Sequence, residues 1–147
     1  MSSFNPETFL SGEVKGEMET KYTPVPEDDY TAFVHDVAAR EINDTPVLDV
    51  IYKILDEALQ ASMDAEDIFV RQSIFVDVDG DGNIQFGPNK NVKLGQLRDA
   101  CGQNTKAMWT PSMLRGGGPL MIRVTQRPDK NDPETVYNDV KRVAAAA

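Results

Sequence analysis

A mainly β fold with one or two short helices is predicted by three features of the sequence. Five apolar segments are rich in β-branched and aromatic residues, Gly, Pro, Asn and Asp cluster between them, and only residues 91–102 combine helical apolar spacing with a helix stop signal. At 147 residues the chain has room for one core. The expected organisation is an N-terminal arm over residues 1–24, flexible or docked on a partner, followed by one domain over residues 25–147. The arm is polar, rich in Glu, Ser and Thr, and without sustained periodicity.

Each element has its own signal. After the prolines of PVPEDD, the segment Tyr30–Ala39 is aromatic and β-branched enough for a first strand. Val47–Leu55 follows an Asp-Thr-Pro turn and reads as the second. Residues 56–67 hold helix formers but few apolar side chains, so a loop with one helical turn is expected there. Ile68–Val78 is the clearest strand, with a bulge or a twist expected around Arg71, Gln72 and Ser73. The turn Asp79–Asn83 leads to Ile84–Phe86, which is expected to pair back as a short hairpin arm. Val92, Leu94, Leu97 and Cys101 then recur at helical spacing, and Gly102 stands where a helix stops. Thr110 and Pro111 suit the N-cap and first position of another short turn. Leu120–Arg127 and Thr135–Val143 alternate across a polar, proline-containing loop and read as a closing hairpin. This order is that of a five-stranded OB-like barrel with a helix between strands three and four, a platform that commonly binds single-stranded nucleic acid or sugars.

The net charge is −9, unevenly placed: residues 1–89 carry 5 Lys/Arg against 19 Asp/Glu, and residues 90–147 carry 10 against 5. Such asymmetry focuses an anionic partner onto one face of a molecule that repels polyanions at long range. No apolar run approaches 18 residues, so no membrane span is expected. The N-terminus lacks a basic region followed by an apolar stretch, which points away from a secretory signal and toward a cytosolic setting. Cys101 is the sole cysteine, which excludes an internal disulfide and a Cys-based zinc site; beside Leu97 and Ala100 it reads as a small buried residue.

Three motifs invite a chemical reading. Asp77, Asp79, Asp81, Gly82 and Ile84 follow the opening of an EF-hand calcium loop, but its twelfth position is Pro88 and the preceding segment reads as a strand. Asp77, Asp79 and Asp81 are thus a weak metal candidate for calcium, and a plain acidic turn is the stronger reading. Arg115-Gly-Gly-Gly-Pro lacks the Lys-Ser/Thr of a phosphate-binding loop and is expected only to turn the chain. One histidine, His35, and no Gly-x-Ser-x-Gly or dinucleotide motif point away from an enzyme. Nucleic-acid binding needs cations along a backbone path and aromatic faces for stacking. Candidates on the strands are Tyr52, Lys53, Phe69, Arg71, Phe75, Arg123, Arg127, Tyr137 and Lys141, with Lys90, Lys93 and Trp109 in the connecting region. Strand alternation puts Phe69, Arg71 and Phe75 on one side.

In VPEDDYTAFVHDV, VRQSIFVDV, KNVKLGQLRDACGQN and IRVTQR…VYNDVKRV the chain resembles small phage-encoded single-stranded DNA-binding proteins, over roughly residues 4–144. The resemblance implies an OB-like fold, no catalysis and no cofactor, and a role in phage DNA replication or recombination in the cytoplasm of an infected bacterial host, with single-stranded DNA as partner and self-association possible. The alternative is a virion structural or capsid decoration protein, whose arm would contact neighbouring capsid subunits.

Overall fold

The computed structural model describes residues 3–146. Five strands, β1 (Asp28–Ile42), β2 (Thr45–Ile54), β3 (Phe69–Phe75), β4 (Leu120–Pro128) and β5 (Val136–Ala145), form one antiparallel sheet in the order β3-β2-β1-β4-β5. Helix α1 (Pro6–Leu10) lies in the arm, α2 (Glu57–Met63) joins β2 to β3, and α3 (Val92–Ala100) lies between β3 and β4, followed by a 3-10 turn over Pro111–Leu114. The edge strands β3 and β5 come within 8 Å, Cα to Cα. No ladder joins them among the described residues, so the sheet is open.

Alternation puts Val34, Val50, Tyr52, Val70, Ile74, Ile122 and Val124 on the inner face, where all are buried. Leu94, Leu97 and Ala100 of α3 and Leu114 of the 3-10 turn enter the same cluster, which runs from Val25 to Val143. The central strand changes partner along its length. Asp28–Ala32 pair with β4, and Ala32–Ile42 pair with β2. Beyond Ala32 the triple glycine takes the place of β4: Val34 N–H donates to Gly117 O at 2.9 Å, and Gly116 N–H donates to Val34 O at 2.8 Å. Glycine is required here because a Cβ on Gly117 would lie 2.9 Å from both Cys101 Sγ and Leu114 O. Arg115 just before it is held by Asp36 at 2.7 Å, so its guanidinium serves this junction.

Several expectations are corrected. The third strand ends at Phe75, not Val78, and has no bulge: β3 pairs β2 in one register from Phe69 to Phe75. Gln72 points inward without breaking the ladder because the Tyr52 hydroxyl donates to its Oε1 at 2.6 Å. The register shifts fall instead between Val34 and Asp36 of β1, at His35, and in β5 at Lys141. Residues 56–67 hold a seven-residue helix: the Asp56 carboxylate caps Leu59 N–H at 2.9 Å, Leu59 is buried, and Asp64 closes the helix in the left-handed region. The hairpin arm after Asp79–Asn83 is one bridge, Val78 to Ile84. The α3 stop holds, with Gly102 at φ +69°. Cys101 is half-buried, and burial pushes its thiol pKa up.

Candidate nucleic-acid interface

Period-two alternation turns Phe69, Arg71, Ser73 and Phe75 of β3 outward, opposite Lys53, Ile51, Asp49 and Val47 of β2. Phe69 is 44% exposed and Phe75 60%. The bulge at His35 brings its imidazole against the Phe69 ring, with centroids 4.8 Å apart. Together with Ile51 and Arg71 they line a shallow depression of about 360 Å³. The one buried acid on this face is neutralised: Arg40 Nε lies 2.7 Å from Asp49 Oδ2, and the Ser73 hydroxyl donates to Oδ1 at 2.7 Å. Burial pushes the Asp49 carboxyl pKa up, but these two donors outweigh it and hold it below the ordinary carboxylate value. Lys53 is paired with Asp67 at 2.9 Å. The face therefore offers aromatic rings and Arg71 with little net negative charge at its centre.

A larger groove, of about 740 Å³, lies between the 84–90 segment, α3 and the 104–109 loop. Asn91 fixes the first wall to the helix. Its side chain accepts from Asp77 N–H at 2.7 Å and donates to Gln85 O at 2.7 Å, from a left-handed backbone that Asn tolerates. Arg98 fixes the loop: its Nε donates to Gln103 O at 2.9 Å and its Nη2 to Thr105 O at 2.8 Å. The same guanidinium stacks 4.7 Å from the Trp109 ring centre, and the indole N–H donates to Gln103 Oε1 at 2.8 Å. Phe86 stands 93% exposed on the opposite wall. Lys90, Arg98 and Lys106 line the groove, and none of its lining residues is acidic. In a chain of net charge −9 this is a local reversal of sign.

The candidates named from sequence thus separate into three groups. Phe69, Arg71 and Phe75 share the outer face of β3, with Lys53 beside them. Lys90 and Trp109 meet in the groove; Lys93 is exposed on α3 nearby. Among the described residues no ion pair engages Lys90, Lys93 or Lys106. On the β4–β5 hairpin Arg123 faces Asp29 at 3.7 Å and Arg127 is bound by Asp139 at 2.9 Å. There the Tyr137 hydroxyl donates to Asp129 at 3.0 Å, and Lys141 is exposed. Tyr52 is a correction: fully buried, its phenol pKa raised by burial, it is a core residue whose ring no base can reach. Sequence reading missed Phe86, Arg98, Lys106 and His35 as site residues. Phe86 falls in the expected hairpin arm, Arg98 carries no binding signal in the sequence, and only the folding of the 103–109 loop back onto α3 brings them together.

The acidic turn is built for its own backbone. The Asp79 carboxylate accepts from Asp81 N–H at 2.9 Å and Asn83 N–H at 3.0 Å, and Asp77 accepts from Asn91 N–H at 3.0 Å. Among the described residues no group of three His, Cys, Asp or Glu side chains converges on a metal position. Among them, too, no helix is long and apolar enough to cross a membrane. Comparisons with family models, curated proteins and solved structures find no match.

Proposed function

We propose that this chain is a non-catalytic single-stranded DNA-binding protein of the OB-like type, acting in phage DNA replication or recombination in the cytoplasm of an infected bacterial host. The observation that carries the reading is the α3 groove, where three cations and two aromatic rings meet with no carboxylate among its lining residues. Lys90, Lys106 and Arg98 would take backbone phosphates, and the faces of Phe86 and Trp109 would take bases; stacking of this kind accepts any base. The outer face of β2 and β3, with Phe69, Arg71 and Phe75, is the surface on which OB-type barrels hold oligonucleotides. The strand order β3-β2-β1-β4-β5, with α3 between β3 and β4, supports this reading, since such a barrel lacking the ladder between β3 and β5 would have the same order. The resemblance to phage single-strand binders points the same way.

Fluorescence anisotropy of a labelled oligo-dT tests this, titrated at low and moderate salt with duplex DNA as competitor. Contact of about three phosphates with the groove cations gives a slope of about −2 in log affinity against log salt. Binding that prefers the single strand and weakens with salt supports the proposal. No binding at low salt, or equal binding of duplex, refutes it.

A further inference from the structure

The N-terminal arm combines exposed apolar side chains with acidic charge. Phe9, Leu10, Val14 and Met18 are all exposed, and the Phe9 ring packs on Phe4 at 5.4 Å. Glu7, Glu13, Glu17 and Glu19 are set among them, against Lys15 and, at the arm's root, Lys21. The arm's root is fixed: Lys21 Nζ lies 2.9 Å from Asp132, and Val25 N–H donates to Asn138 Oδ1 at 2.8 Å. A polar segment anchored at one end, with a few exposed apolar side chains set among glutamates, calls for a seat that is apolar and basic. The α3 groove has that character, with Phe86, Val92 and Trp109 as apolar surface and Lys90, Arg98 and Lys106 as cations. Residues 25–89 carry 15 Asp/Glu against 3 Lys/Arg, a balance that repels the arm.

We infer that the arm of one copy docks in the α3 groove of a second copy, its Phe9–Leu10 pair on Phe86 and Val92 and its glutamates toward Lys90 and Lys106. The second copy is chosen because the chain's own groove stands open while its arm is laid out in solvent from residue 3 to residue 19. This inference uses the groove's geometry and charge and does not rest on the DNA-binding reading.

Sedimentation velocity of the full-length protein without DNA, from low to high micromolar concentration and at two salt concentrations, tests it. Expected is a concentration-dependent association that salt weakens. The double variants Phe9→Asp/Leu10→Asp in the arm and Lys90→Glu/Lys106→Glu in the groove should each weaken it by about tenfold or more. All four positions are exposed, so the fold survives the substitutions, which circular dichroism checks. Adding Glu7→Lys/Glu13→Lys to the groove variant should restore association, a reversal that only direct charge contact explains. A monomer at every concentration overturns the inference, including one in which crosslinking ties the arm to the groove of its own chain. So does an association that both double variants leave unchanged, which would place the contact elsewhere.

Discussion

Asp49 sits in the middle of the β2–β3 outer face with only 8% of its side chain exposed, and its charge is tolerated there because Arg40 and Ser73 hold both oxygens. Arg40→Ala leaves the carboxylate with Ser73 alone and should cost about 2 kcal/mol in urea denaturation at neutral pH. Its folded pKa lies below the ordinary value, so its stabilising effect is complete above pH 3.8 and is lost as the pH falls through the lower folded value. Arg40→Ala should therefore flatten the acid limb of the stability profile. Asp132 behaves likewise at the root of the arm: the Thr135 hydroxyl and Lys21 hold its carboxyl down to about 2. The contact between arm and loop is thus fully present above pH 3.8 and lost toward pH 2. Lys21→Ala should raise that carboxyl's titration midpoint, read by NMR. Tyr52→Phe removes the hydroxyl that satisfies Gln72 and should cost about 1 kcal/mol while leaving DNA affinity unchanged.

At the level of elements, α3 joins the core to the groove. Leu97 is fully buried and Arg98, one residue on, ties down the loop that carries Trp109. Leu97→Ala should destabilise the fold by about 2–5 kcal/mol. Arg98→Ala should do little to thermal stability yet lower DNA affinity, since it frees the 103–109 loop; hydrogen exchange in that loop checks the cause. The five strands and α3 were legible because alternation, turn residues and the helix stop at Gly102 are local signals. The details that failed depend on contacts distant in sequence. Gln72 looks like a bulge until Tyr52, 20 residues away, supplies its partner. The helix α2 looks too polar until Leu59 finds the core. The bulge at His35 lies where β1 passes from β4 to the triple glycine, and no local residue pattern marks that switch.

Taken as a whole, the molecule segregates charge: an acidic body carries a basic, aromatic groove built from residues 84–109. The sequence showed the sign change near residue 90 and offered Lys90, Lys93 and Trp109. It did not show that Phe86, Arg98 and Lys106 join them, nor that the hairpin arginines are engaged by Asp29 and Asp139. Those facts come from loop closure and strand pairing. Trp109 is the only tryptophan and lines the groove, so its emission reports on that site alone. The measurement that tests the central claim most directly is intrinsic fluorescence titrated with unlabelled oligo-dT. The account predicts saturable quenching that salt reverses and that Lys90→Glu/Lys106→Glu weakens by about tenfold or more. Tryptophan emission that stays constant at low salt while oligo-dT demonstrably binds would place DNA elsewhere and contradict it.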